Sequence, residues 1–122
     1  MATDDKGYQV SWDDETGIAR TDWLRGAVCG LDDAQAVDAE IQALGRGHVR
    51  LLVDLRDVGS IDRPAREFFM DLNSSYRAVA LLAGSPATRM LANFFLGLKR
   101  GAIPVKMFTA ECDAVAWLQG QG

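Results

Sequence analysis

Residues 51–65, near the middle of the chain, constrain the fold more than any other stretch because they join three structural signals. The run from Leu51 to Leu55 is almost continuously apolar, which is typical of a strand covered on both faces of a sheet. After a short loop, Asp62 can cap a helix, and Pro64 suits the first helical turn because its missing N–H would be unpaired there. The sequence therefore predicts a strand, a loop and a capped helix, the kind of junction at which α/β folds gather their chemistry.

The residues before this unit predict a hairpin and a first helix. Apolar and polar side chains alternate through residues 8–24 on either side of a turn at residues 14–17, which predicts two paired strands. Residues 27–29 can extend the same sheet. Asp32 or Asp33 can then cap a helix that runs to about residue 44.

The residues after it repeat the alternation of strand and helix. Residues 78–83 predict a second buried strand, and Ser85 can cap the helix that follows. Residues 103–108 predict a last strand, which Pro104 favours at a sheet edge, and a final helix begins at residue 109 or 110. The predicted order is β-β-α-β-α-β-α-β-α, an α/β domain with a mostly parallel sheet and an N-terminal hairpin.

Two helices carry apolar stripes that we expect to face the core. A stripe of this kind is usually core, although it can also line a pocket for a lipid or another small ligand. The stripe residues are Ala65, Phe68, Phe69 and Leu72 in the first of these helices, and Met90, Leu91, Phe94, Phe95 and Leu98 in the second. Leu96 lies off the stripe beside Asn93, and we predict that these two residues belong to an interaction surface.

Composition limits the function classes open to the chain. It has 122 residues, of which 48% are apolar, and a formal net charge of −4. This length is enough for one domain with a core. The acidic balance argues against general nucleic-acid binding, because proteins that follow a phosphate backbone need a basic surface. We expect a single domain over residues 1–122, with residues 1–6 disordered.

Cysteine and histidine usage predicts neither a metal site nor a cofactor. Cys29 and Cys112 are the two cysteines and His48 is the single histidine, so no zinc-type spacing is present. The N-terminus lacks the basic start and apolar run of a signal peptide, and no apolar stretch reaches the ~18 residues that span a membrane. We therefore expect a cytoplasmic protein with reduced thiols and no membrane span.

The junction also carries a resemblance to a known family. Residues 53–62, Val-Asp-Leu-Arg-Asp-Val-Gly-Ser-Ile-Asp, resemble the STAS domains of the SpoIIAA anti-sigma-factor antagonists, in which V-x-D-L-x-x-V leads to I-D-S-S-G at a helix start. A wider resemblance, over residues 45–119, is to small bacterial proteins described as STAS-like or SpoIIAA-like and sometimes grouped with CRAL-TRIO lipid-transfer domains. The resemblance implies a SpoIIAA-like fold. It rests on residues 53–56, 65–69, 84–89, 93–98 and 114–118.

The chain departs from the antagonists where their switch lies. In those domains a partner kinase phosphorylates a serine of D-S-S-G, whereas this chain has Asp62-Arg63-Pro64-Ala65. Pro64 or, with a shift of one residue, Arg63 replaces that serine, and Ser60 is at most a displaced substitute. We predict a non-enzymatic regulatory or protein-interaction module that lacks the serine switch. The alternative is a module that binds a small apolar, lipid-like or anionic ligand.

Three carboxylates surround the junction, and no catalytic set accompanies them. Asp54, Asp57 and Asp62 could bind a metal or act as acid and base, but strand-end, turn and capping roles explain all three, and we favour that interpretation. No Ser-His-Asp or Cys-His arrangement can be assembled from the sequence. We predict that the protein is not an enzyme.

Basic residues in the second half of the chain raise the possibility of an anion site. Residues 62–122 carry a net charge of +2, whereas residues 1–61 carry −6. The N–H groups at the Ser85 helix start, Arg89 one turn later, and Arg56 or Arg63 would meet at the carboxyl edge of a parallel sheet. The interpretation we favour for Ser85 is a plain helix cap, and Asp57 and Glu67 could occupy the two nearby arginines.

Two features favour self-association. The hairpin lies at one edge of the predicted sheet, where unpaired backbone groups invite another strand. Leu96 adds an apolar side chain off its own stripe. Since two-fold dimers are the commonest soluble oligomers, we predict a homodimer.

Overall fold

The computed structural model describes residues 7–71, 76–90 and 103–121. Its strands are β1 (Tyr8–Asp13), β2 (Ile18–Trp23), β3 (Val28–Cys29), β4 (Arg50–Asp54), β5 (Ser60–Ile61), β6 (Ala78–Leu82) and β7 (Val105–Phe108). Its helices are α1 (Leu31–Gln42), α2 (Arg63–Asp71), α3, of which residues 86–90 are described, and α4 (Glu111–Gln119).

Five strands form the main sheet, in the order β1-β2-β4-β6-β7. The β1–β2 hairpin is antiparallel and every other neighbouring pair is parallel. Gly17, at φ +71°, closes the hairpin turn, and its N–H donates to Asp13 O at 2.8 Å. The predicted α/β class, with a mostly parallel sheet behind an N-terminal hairpin, is confirmed. β7 lies at the sheet edge, as Pro104 predicted.

Residues 27–29 do not extend the main sheet as predicted. β3 pairs instead with β5 in a separate two-stranded parallel sheet, with Val28 opposite Ser60. Two-residue strands have no periodicity that a sequence pattern can display, so β5 was missed.

The predicted caps of α1 were also wrong. The helix begins at Leu31 with Gly30 as its N-cap. Asp33 lies in the first turn, where its carboxylate accepts a hydrogen bond from Gly30 N at 3.1 Å. The carboxylates that predicted a cap are therefore inside the first turn, where they still suit the positive end of the helix dipole.

The sheet has two differently covered faces because side chains alternate along each strand. In β2, Ala19, Thr21 and Trp23 point toward α1 and α2, on the side called here the α1/α2 face. Ile18 points to the opposite side, the α4 face, where it packs with Leu118. In β4, Leu51 and Val53 belong to the first face and Leu52 to the second.

The predicted inward stripes are only partly confirmed. In α2, Ala65 is buried, and Phe68 and Phe69 are half-buried against the core. In α3, Met90 is 73% exposed, contrary to the prediction. Thr88 takes the inward position of this first turn because its hydroxyl closes the helix cap. Leu72, Leu91, Phe94, Phe95 and Leu98 lie outside the described residues.

Candidate functional site

The carboxyl edge of the sheet brings together the junction after β4 and the loop after β6. These strands are neighbours in parallel register, with Asp54 opposite Leu82. A Cβ placed on Gly84 would lie 3.4 Å from Cγ of Arg56, so the two loops touch. The topological premise of the anion-site prediction, adjacent loops at one edge, is therefore met for Arg56 and Ser85.

The three junction aspartates take part in structural contacts, Asp57 through its backbone carbonyl. Asp62 Oδ1 accepts from Ala65 N at 3.1 Å and so caps α2, as predicted. The backbone carbonyl of Asp57 accepts from Gly26 N at 2.9 Å, which ties the turn after β4 to the turn before β3. Asp54 belongs to an ionic cluster. Within the described part of the chain, no group of three or more His, Cys, Asp or Glu side chains is arranged to hold a metal ion.

The ionic cluster comprises Arg20, Asp22, Asp54, Arg56 and Glu111, and it lies where the sheet meets the start of α4. Asp54 accepts two hydrogen bonds from the side chain of Arg56, at Oδ1 from Nε (3.0 Å) and at Oδ2 from Nη2 (2.8 Å). Arg20 Nη2 lies 3.2 Å from Asp54 Oδ2, and Arg20 Nη1 lies 2.8 Å from Glu111 Oε2. The cluster therefore joins β2, the end of β4 and α4.

Charge pairing shifts the pKa values in this cluster. Burial alone would raise the pKa of Asp54, but its hydrogen bonds to Arg56 and the charges of Arg56 and Arg20 outweigh burial and lower it. The hydrogen bond from Arg20 lowers the pKa of Glu111. Arg20 and Arg56 have raised pKa values, chiefly through hydrogen bonds to Glu111 and Asp54 respectively. All four groups are therefore held charged, as ion pairs rather than as proton donors or acceptors near neutral pH.

Sequence reasoning missed Arg20, Asp22 and Glu111. Arg20 and Asp22 are neighbours on one strand, but both lie more than 30 residues from Asp54 and more than 80 from Glu111, so no local motif could connect the cluster. One signal was available: Arg20 and Asp22 are charged residues at alternate positions of a strand that the sequence itself predicts. That pattern predicts charged side chains sharing one sheet face.

Ser85 acts as the cap of α3. Its Oγ accepts from Thr88 N at 3.1 Å, while Thr88 Oγ1 accepts from Gly84 N at 3.0 Å and Ser85 N at 2.9 Å. The N–H groups of Gly84 and Ser85 are therefore already paired with the Thr88 hydroxyl. This reciprocal arrangement satisfies donors that an anion would otherwise use.

The three arginines of the predicted anion site differ in their surroundings. Arg56 pairs with Asp54, not with Asp57 as the sequence suggested. Arg63 Nε lies 3.1 Å from Glu67 Oε2, so the suggested pairing with Glu67 is present, between exposed side chains. Arg89 is exposed at the first turn of α3. The anion site at Ser85, Arg89 and Arg56 or Arg63 stays a prediction, and so does the interaction surface at Asn93 and Leu96, which lies outside the described residues.

The two thiols occupy opposite environments. Cys29 is buried and Cys112 is exposed. Burial, reinforced by the charges of Asp33 and Asp62, raises the pKa of the Cys29 thiol to about 12. Since the thiolate is the nucleophilic form, Cys29 is an inert core side chain at neutral pH.

In residues 7–71, 76–90 and 103–121, no helix combines the length and the apolar character needed to cross a membrane.

A family model described as a domain of unknown function, DUF7793, matches residues 12–121. No match was found among curated proteins.

Solved structures resemble the chain at low sequence identity. An uncharacterised protein of the DUF3478 family with a SpoIIAA-like fold, from Shewanella loihica PV-4, is 15% identical, with a TM-score of 0.64 over 97% of this chain and 98% of its own. The anti-sigma factor antagonist SpoIIAA in its unphosphorylated form is 14% identical, with a TM-score of 0.63 over 93% of this chain and 98% of its own. The predicted SpoIIAA-like fold is confirmed.

A third structure has higher sequence identity. It is a protein of unknown function from Arthrobacter sp. FB24, which is 32% identical over 90% of this chain and 97% of its own, with a TM-score of 0.35.

Proposed function

We propose that this chain, which belongs to the DUF7793 family of domains of unknown function, is a non-enzymatic regulatory module that binds a protein partner without a serine switch. The SpoIIAA-like fold supports this proposal by analogy, because one structure of that fold is an anti-sigma factor antagonist. A fold hosts many functions, so the more specific support comes from the residues around the junction.

The observation that carries the proposal is the start of α2. Arg63 and Pro64 are its first two residues, and the carboxylate of Asp62 accepts from Ala65 N at 3.1 Å. A phosphate on a serine at this point would act through the free N–H groups of the helix start. Here Arg63 or Pro64 occupies that place, and neither carries a hydroxyl, so the start of α2 offers no serine for a phosphate switch.

Exposed apolar side chains next to this junction support a protein partner. Val28 is 65% exposed, and Leu24 and Leu31 on either side of it are 41% and 38% exposed. Val28 lies in β3 directly opposite Ser60 of β5, two residues before the α2 cap. Apolar side chains gathered within eight residues of chain beside a regulatory junction are typical of a contact surface.

A photo-crosslinking residue placed at Val28 tests this surface. In the cells that make the protein, we expect Val28 to crosslink to a defined partner and a probe at Gln119, exposed on α4, not to capture it. Val28→Asp should weaken complex formation at least tenfold while the melting temperature stays unchanged, because the side chain is exposed. Equal capture from both positions, or undiminished binding by Val28→Asp, would contradict the proposal.

Absence of the serine switch has its own test. After incubation with ATP and an anti-sigma-type kinase, we expect no stoichiometric phosphate on residues 53–65, measured by mass spectrometry. Ser60 is exposed and is the serine nearest the switch position, so Ser60→Ala is the control. Stoichiometric phosphate on Ser60 that disappears in Ser60→Ala would restore the switch model.

Self-association belongs to the same proposal. The position of β1 supports it as a contact, because among the described strands it is an edge strand that pairs with β2 on one side only. We expect a homodimer in sedimentation experiments at high micromolar concentration. A clean species at the 13.3 kDa of one chain would remove this part of the proposal.

A further inference from the structure

A cavity of about 80 Å³ lies between the sheet and helices α1 and α2, on the α1/α2 face. Its walls come from β2, β4, β5, β6 and β7 and from both helices. Among the described residues that line it, nearly all side chains are apolar and none is charged: Thr21, Trp23, Val37, Ile41, Leu51, Val53, Leu55, Ile61, Phe69, Tyr76, Val79, Leu81 and Val105.

Thr21 supplies an unusual polar group to this apolar wall. Its side chain lies in the middle of β2 and is 1% exposed, yet Oγ1 has no hydrogen-bond partner in the described part of the chain. The other lining hydroxyl, of Tyr76, is paired with Asp38 Oδ1 at 2.8 Å. A buried hydroxyl without a partner is costly, so its presence on a cavity wall needs a reason.

We propose that the cavity binds a small apolar molecule that carries one hydrogen-bonding group, and that this group pairs with Thr21 Oγ1. The hydroxyl can donate or accept, so an alcohol, phenol or carbonyl group fits it. A carboxylate or an ammonium group does not fit, because the described lining side chains offer no opposite charge. This inference does not depend on the proposed protein partner.

The size of the cavity sets the size of the ligand. An apolar cavity of about 150 Å³ accommodates benzene. The present cavity measures about 80 Å³, roughly half of that, so a single ring is the upper limit and enters only if lining side chains move outward, while a short chain fits directly and a long acyl chain is too large. Water is a poorer occupant, because a buried water needs two to four polar partners and Thr21 supplies one.

Phenol and toluene provide a matched pair of probes, since they share a ring and differ in the hydroxyl. Binding is followed by ¹³C methyl NMR at Thr21, Val37 and Ile41, which line the cavity, with Leu118 on the α4 face as the internal reference. We expect saturable shifts at the cavity methyls and none at Leu118. Phenol should bind about fivefold more tightly than toluene, the worth of one neutral hydrogen bond.

Thr21→Val keeps the shape of the side chain and removes the hydroxyl. It should abolish the preference for phenol, weakening phenol about fivefold while toluene stays within twofold. Saturable binding with the preference intact in Thr21→Val would overturn the role of Thr21. No saturable shift with either probe would overturn the ligand site itself, leaving a cavity that is dry or filled by water.

A second variant tests the location independently. Val37→Phe, from α1, fills the cavity and should abolish binding of both probes. The control is Val115→Phe, which adds the same bulk against the α4 face and should bind normally. Unchanged binding by Val37→Phe would place the probes elsewhere and contradict the proposal, and if this variant fails to fold, the comparison of phenol and toluene with Thr21→Val still decides.

Discussion

The two faces of the main sheet use the same strands and bury them in different ways. On the α4 face, Ala78, Ala80 and Ala114 are fully buried, and such small side chains let the helix approach the sheet closely. On the α1/α2 face larger side chains surround a cavity, and one hydroxyl in its wall has no hydrogen-bond partner among the described residues. Close packing on one face provides rigidity, and the less complete packing on the other provides room for a ligand.

The ends of the helices sharpen this contrast. α4 is held at its start by Arg20, whose Nη1 lies 2.8 Å from Glu111 Oε2, and near its end by Arg50, whose Nε donates to Gln121 O at 2.7 Å. α1 is tied to the sheet and to the start of β6 by neutral donors, Tyr8 to Glu40 and Tyr76 to Asp38, each at 2.8 Å. Charged arginine donors thus hold both ends of α4 against the sheet, whereas α1 is held by neutral hydroxyl donors.

The largest expected difference between the faces is in the cost of cavity formation. Leu118→Ala, at a fully buried position of the α4 face, should lower the free energy of unfolding by about 4 kcal/mol. Leu81→Ala, beside the existing cavity, should cost only about 2 kcal/mol, because that side chain already lacks neighbours on one side. Urea unfolding of the two variants measures the difference. Equal costs would mean that the α1/α2 face is as tightly packed as the other.

The ionic clamp is the next largest contribution. Arg20→Gln should lower the free energy of unfolding by about 2 kcal/mol, because Asp54, whose side chain is 13% exposed, loses a charged partner. Arg63→Gln is the matched control, since its pair with Glu67 is exposed and worth about 0.3–0.5 kcal/mol. If both variants unfold at the same urea concentration, the cluster does not clamp α4.

Acid should weaken the same clamp. Asp54 and Glu111 have pKa values below their ordinary 3.8 and 4.5, so below those values the unfolded chain binds protons that the folded chain does not. Their contribution is present above about pH 4.5 and is lost as the pH falls through the lowered folded-state values. Unfolding free energies measured from pH 6 to pH 2 should fall less steeply in Arg20→Gln than in the parent protein. An identical slope would mean that Arg20 does not lower the pKa values of Asp54 and Glu111.

The smallest expected effect has the opposite sign. Thr21→Val should raise the free energy of unfolding by about 1 kcal/mol, because it removes a buried hydroxyl that has no partner. Thr88→Val, also at a buried threonine, should lower it by about 1 kcal/mol, because that hydroxyl caps α3. A destabilised Thr21→Val would indicate that its hydroxyl is satisfied, for example by a bound water or by the ligand proposed here.

The features that the sequence determined by itself are those whose causes are local. Asp62 was recognised as the cap of α2 and Ser85 as the cap of α3, because a cap depends on residues within one helical turn. The apolar run of β4 identified an inner strand, and Pro104 identified an edge. Together with the resemblance to SpoIIAA-like proteins, these local signals were enough to predict the fold class.

Tertiary structure alone decided the partners of residues that are distant in sequence. Arg20 meets Glu111 because the start of α4 packs beside β2, and Val28 lies opposite Ser60 because Gly26 N donates a hydrogen bond to Asp57 O and so joins the two turns. The unpaired hydroxyl of Thr21 is likewise a property of its surroundings, since a threonine in a strand is unremarkable as sequence. A sequence states which groups need partners, and only the packed chain determines which of them receive one.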